Sequence, residues 1–444
     1  MMKMRGSGRL IATFAVVLCC LTVGSVHAQV KPASASKPAA AVRWSLGDVL
    51  TTALAHHPLV GQADAEVRAA EARRGQSGSV VWPQLDAIAG GSWSEAPSAV
   101  TGNQDRHTTT TVQGTVTQLV TDFGRTGATL ARAGDLVGAT VQSARASRVE
   151  VVFAAEVAYF DVLRAVNLLG VRRVTLCQRE TLLRQAQAFF DAGVKARIDV
   201  VRAEAAVYQA RADSAGAEHD LRTARLTLLN RMGIDGPADF ELVGAPDVVE
   251  AAGTPADWLR EAEEKHPDLG ALRLQLAAAR NARLAAARGD NPAITLNGRL
   301  GWSGTDELPA DLAWSLGAQL AVPLFNGHLT RQQVSEAEAR VVSAEFALSD
   351  RLRQIRLQVE QADQAMQDAA ESLAAREKER DAFAENLRLA TGRYEAGAAD
   401  IIEMVDAQVQ MTAAETNLVQ ARFDRATALA ALYRALGRLP QPDR

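Results

Sequence analysis

Cysteine is almost missing from this chain: three occur among 444 residues, and Cys19 and Cys20 share one apolar run near the N-terminus. Only Cys177 stands elsewhere, so the body of the chain has no intrachain disulfide framework. Long apolar runs are just as scarce. LIATFAVVLCCLTVG at 10–24 is short for a helical span, and no other stretch reaches the roughly 18 residues one needs. Any membrane crossing must therefore use strands. An excess of charge is lacking too, since 48 basic and 52 acidic residues leave −4 and no nucleic-acid footprint. His27, His56, His57, His107, His219, His266 and His328 follow no zinc spacing. No nucleophile elbow, phosphate loop or dinucleotide fingerprint occurs. The expectation is a protein without metal, cofactor or catalysis.

The N-terminus is patterned. MMKMRGSGR is basic, the apolar run follows, and VHA ends at Ala28 with small residues where a signal peptidase needs them. Residues 1–28 thus read as a secretory signal peptide. A retained anchor is the alternative, disfavoured by the short run. Lipidation of Cys19 or Cys20 is disfavoured because bulky Leu18 and Cys19 precede them. Loss of Lys3, Arg5 and Arg9 with this leader takes the charge to about −7. Residues 29–44 form a Pro/Ala/Ser linker with no packing signal.

The rest of the chain repeats itself. A first unit, 45–233, starts at Ser45, an N-cap with Asp48 placed for a capping box. It continues through weakly alternating strands at 84–94 and 108–120. One alanine-rich helical pattern without proline then runs from Arg125 to about Phe190, and a returning helix ends near Gly233. Residues 234–253 connect irregularly, with room for a short strand. A second unit, 254–437, has strands at 292–302 and 311–323, a long helix over about 327–392 and a return to Gly437. The tail is 438–444. His57-Pro58 and His266-Pro267 are 209 residues apart, Gly124 and Gly327 are 203, and Gly193–Gly397 and Gly233–Gly437 are 204 each. Internal duplication accounts for these offsets.

Each long helix would reach about 100 Å, matched by its two shorter partners placed end to end. Four alternating strands cannot close a membrane barrel, whose smallest forms have about eight. Open edges in lipid leave amides unsatisfied. The strands must then join those of other copies. Three copies give the simplest closure, although two or four would also close. On such strands the leucines and tryptophans face lipid, while Thr295, Asn297, Arg299, Ser315 and Gln319 face a wet lumen. Arg299 on the lipid side would cost about 2–4 kcal/mol near the midplane. A half-buried sheet in a soluble domain, or a non-pore periplasmic coiled-coil protein, remains the alternative.

SLGDVLTTALAHHP, Pro83-Gln84, QLVTDFGRT at 118–126 and FFDAGVKARIDVVRAEA at 189–205 carry a family resemblance in the first unit. VPLFNGH at 322–328 and YEAGAADIIEMVDAQ at 394–408 carry it in the second. Over about 44–437 the chain resembles the TolC-like outer-membrane efflux proteins. The resemblance implies a mainly α fold: a homotrimeric outer-membrane β-barrel with four strands per protomer, continued into a long periplasmic α-helical barrel. It implies a location in the outer membrane of a Gram-negative cell, reaching into the periplasm. A periplasmic adaptor and an inner-membrane transporter are the implied partners, with outer-membrane lipid around the barrel and no cofactor. The implied role is a passive conduit for drugs, metals or other small molecules, or alternatively for a type I secreted protein.

The family's gate lies at the helix tips. Tyr394, Glu403 and Asp406 match it here, and the two acids, three apart, can share a helix face. Gly193, Lys195, Arg197, Asp199, Gly397 and Asp400 form the tip turns where an adaptor would touch. Ala399 departs from the pattern, since TolC has a tethering arginine there, and Asp400 cannot replace a cation.

Overall fold

A computed structural model describes residues 42–97, 104–244, 253–305 and 311–439. The expected signal peptide, the linker as far as residue 41 and the tail beyond 439 lie outside these residues. In chain order the elements are β1 (Val42–Trp44), α1 (Leu46–His56), α2 (Pro58–Gly78), β2 (Gln84–Pro97), β3 (Gln104–Thr121), α3 (Arg125–Asp191), α4 (Arg197–Met232) and β4 (Phe240–Leu242). There follow α5 (Pro255–Lys265), α6 (Pro267–Ala287), β5 (Ala293–Thr305), β6 (Asp311–Ala321), α7 (Leu329–Glu395) and α8 (Ile401–Ala435).

The same local chemistry starts each half. Ser45 caps α1: its hydroxyl accepts from the Asp48 N–H, and the Asp48 carboxylate accepts from the Ser45 N–H at 3.0 Å. Thr254 and Asp257 repeat this box ahead of α5. Proline then breaks each helix after 11 residues, because it has no N–H to donate. The preceding histidine caps the next helix, with His57 Nδ1 accepting from Leu59 N–H and His266 Nδ1 from Asp268 N–H, both at 3.2 Å. The His-Pro pairs are helix joints.

Leu46 to Pro255 and Pro58 to Pro267 each span 209 residues, whereas Arg125 to Leu329 and Arg197 to Ile401 each span 204. The difference arises in the hairpins. β2 and β3 have 14 and 18 residues, while β5 and β6 have 13 and 11. The first pair is longer than its alternation indicated, because the added ends, Glu95–Pro97 and Gln104–His107, are mostly charged or polar and have no apolar face to mark them. The Gly124–Gly327 offset of 203 also needs correcting. Two successive residues adopt positive φ at each strand-to-helix turn, Phe123-Gly124 and Gly327-His328. Gly124 therefore corresponds to His328, and glycine occupies opposite places in the two turns.

β2, β3, β5 and β6 form one antiparallel sheet in that order, with β2 and β6 at its edges. Its register sorts the side chains into two faces. Asp86, Thr115, Arg299 and Ser315 form one row across all four strands, and Gln84, Thr117, Asn297 and Gly317 form the next on the same face. On the other face Ala89, Val112, Trp302 and Leu312 align, as do Leu85, Val116, Gly298 and Leu316. Trp314 and Leu316 of that apolar face are about three-quarters exposed.

The last residues of the supposed linker are not loose. Val42–Trp44 pairs in parallel with Phe240–Leu242, and Trp44 stacks on Phe240 at 5.0 Å. The strand partner lies nearly 200 residues away, so no local pattern could reveal it. α3 and α7, of 67 residues each, span about 100 Å. α3 packs against α1, α2, α4, α6 and α8, whereas α7 packs against α5, α6 and α8. The largest core, including Val49, Ala53, Val152, Ala155, Val162, Leu228 and Met232, sits midway along α3.

Candidate functional site

The residues expected to work at the tips meet where α3 turns into α4 and α7 turns into α8. Both reversals use one device. Val194 N–H donates to Phe189 O and Gly193 N–H to Phe190 O, each at 2.9 Å. Ala398 N–H to Arg393 O and Gly397 N–H to Tyr394 O repeat the pattern. This pair of hydrogen bonds closes a helix only if the residue after the cap is left-handed. Gly193 and Gly397 both have φ of 72°.

A small core joins the two turns. Leu182, Ala186, Ala203, Tyr394, Ile401 and Met404 are buried together, with Phe189 packed at the margin. Tyr394 sits inside this core, 1 % exposed, with its ring edge-on to Phe189 at 5.9 Å. Its hydroxyl is buried without a partner. Burial, reinforced by the carboxylates of Asp199 and Asp400, pushes the phenol above its ordinary range. Lys195 bridges the turns: Nζ lies 5.4 Å from the Tyr394 ring centre and donates to the Ala399 carbonyl at 3.2 Å. Thus a cation does reach position 399, carried by the first turn and bonded to backbone. Asp199, in the first turn of α4, is buried. Arg197 and Asp400 are exposed.

The two acids of α8 differ. Glu403 is 3.5 Å from Arg393 across the second turn, an exposed pair worth at most about 1 kcal/mol. Asp406 is exposed, and no ion pair reaches it from the described residues. Helical spacing put the acids on one face but gave no warning of Arg393, because turn geometry makes that contact.

At the opposite end, Thr295, Asn297 and Arg299 lie directly across from Gln319, Gly317 and Ser315, so the five expected lumen residues share one sheet face. Among the described residues no helix is long and apolar enough to cross a membrane, and no cluster of potential ligands could hold a metal ion.

The model of the outer membrane efflux protein family matches residues 49–233 and again 258–438. The chain belongs to that family. Outer membrane protein OprJ of Pseudomonas aeruginosa is 31 % identical over 316 residues, which are 67 % of this chain and 64 % of that relative. This efflux-family chain thus aligns with just under two thirds of OprJ's length. The solvent efflux pump outer membrane protein SrpC of Pseudomonas putida is 26 % identical over 374 residues, 80 % of this chain and 77 % of SrpC. Among solved structures, a membrane protein from P. aeruginosa superposes with a TM-score of 0.80 at 26 % identity, covering 92 % of this chain and 95 % of that one.

Proposed function

We propose that this efflux-family chain is the outer-membrane channel of a tripartite export system, a passive and non-catalytic conduit. Material handed over by an inner-membrane pump through a periplasmic adaptor would leave through it. The observation that carries this reading is the four-stranded sheet, with a polar face, an apolar face and two edges that pair with nothing in the described chain. Each of its strands has at least the 9–11 residues that span a bilayer. Lipid does not tolerate open edges, and joining β6 of one copy to β2 of the next removes them. Three copies then make a 12-stranded barrel, with Thr295, Asn297, Arg299, Ser315 and Gln319 in its lumen.

In this reading the units 45–233 and 254–437 descend from one duplicated segment. The two turns around Gly193 and Gly397 form the periplasmic mouth and the surface offered to the adaptor. Asp406 is the better candidate for a ring of charge in the bore, because Arg393 partly neutralises Glu403. Tyr394 acts from within, holding the turns together. SrpC is named for solvent efflux, which favours small apolar cargo.

The test is electrophoresis of unheated membrane extracts followed by reconstitution in planar bilayers. The expected result is an oligomer that dissociates on boiling and forms discrete conducting channels. A water-soluble monomer without conductance would overturn the reading in favour of a non-pore coiled-coil protein. A deletion strain that keeps its solvent resistance but fails to release a protein substrate would move the assignment to type I secretion.

A further inference from the structure

Arg179 is the most deeply buried cation of the long helices without a carboxylate partner. It stands on α3 about 18 Å before the helix ends at the first turn and is 5 % exposed. Its Nη2 reaches only the Val405 carbonyl, at a long 3.4 Å, and its Nη1 has no hydrogen-bond partner. An arginine carries five N–H donors and stays charged. Leaving such a charge unpaired away from water costs several kcal/mol. Helical packing does not demand it, because the corresponding residue of α7, 204 positions on, is Phe383.

Arg179 borders a cleft of about 570 Å³ between α3, α4 and α8. That volume falls in the range of sites for small organic ligands. Arg172, Thr416 and Asn417 supply polar wall, and Ala210, Val409 and Ala413 supply apolar wall. Arg172 already has Asp213 at 4.0 Å, and the hydroxyls of Thr175 and Thr412 bond each other at 3.1 Å. One positive charge therefore remains uncompensated in the cleft, beside a surface of alanine and valine.

We propose that this cleft binds a small amphipathic organic anion, with its carboxylate on Arg179 and its apolar part against Ala210, Val409 and Ala413. The anion completes the donor set that the chain leaves open, and charge-assisted bonds to a guanidinium are the stronger kind. The site does not depend on what passes through the protein.

Titration calorimetry on the full-length protein in lipid nanodiscs tests this, with benzoate as the probe and neutral benzyl alcohol as its control. Saturable benzoate binding is expected, with benzyl alcohol weaker by about tenfold or more. Arg179→Met should abolish it by removing the charge, and Ala413→Trp should abolish it by filling the cleft while keeping Arg179. If Arg179→Met does not fold, Ala413→Trp decides alone. No saturable binding, equal binding of the two probes, or benzoate binding unchanged in either folded variant would overturn the proposal.

Discussion

Glu156 and Glu360 occupy the same place in α3 and α7, 204 residues apart, yet the first is buried and the second exposed. Burial pushes the Glu156 carboxyl up to about 7. Its neighbours diverge in the same sense: Tyr159, Phe160 and Leu163 are buried on α3, and Asp363, Gln364 and Gln367 stand at their equivalents on α7. The two helices share a length, a proline-free course and a turn. They do not share surroundings. α3 runs between α4 and α8 and also supports α1, α2 and α6, so it needs apolar residues on several sides. α7 has packed neighbours on fewer sides, and side chains such as Phe346 and Val342 are exposed. The two helices share a backbone plan, while what packs against each decides which of its faces are dry.

The comparison breaks most severely under a charge on one side. Phe160→Asp should cost about 4 kcal/mol or more, since it removes a buried ring and buries an unpaired charge. Gln364→Asp, its equivalent on α7, should stay within about 0.5 kcal/mol. Denaturant midpoints of the two variants check this, and similar losses in both would mean that α7 is as enclosed as α3.

A smaller contrast concerns the glutamates. The folded-state value of Glu156 lies above its ordinary value, near 4.3 when unfolded. Its contribution is therefore fully present below about pH 4.3 and is lost as the pH rises through about 7. Glu156→Gln should stabilise the protein by about 3–4 kcal/mol at pH 8 and hardly at pH 4.5. Glu360→Gln should be silent at both. Parallel pH profiles for wild type and Glu156→Gln would remove the distinction.

The smallest effect belongs to the tips. With Arg393 beside Glu403, Asp406→Ala should weaken block by multivalent cations more than Glu403→Ala does, as single-channel recordings from the periplasmic side would register. Equal effects, or block unchanged in both, would take Asp406 out of the bore.

Much of this architecture was legible from residue order. The capping residues Ser45 and Asp48, the proline breaks, the alternation at 292–302 and the glycines at both turns are local signals, and each helix boundary they imply lies within a few residues of the observed one. The expected site was legible more unevenly. Alternation put Thr295, Asn297, Arg299, Ser315 and Gln319 on one face because strand geometry has a fixed period. No comparable rule reaches across a turn, so the Arg393–Glu403 pair and the Lys195 bond to Ala399 went unseen.

The sequence by itself determined the length of the helices, the places where they break and the two faces of the strands, since each follows from neighbours within a turn or two. Only the tertiary structure decided that Val42–Trp44 is a strand, that Tyr394 lies inside the tip, that Arg179 borders a cleft between three helices and that Glu156 and Glu360 differ. Those outcomes depend on segments up to about 200 residues apart meeting in space. A side chain's environment is set by what packs against it, and local periodicity carries no record of that partner.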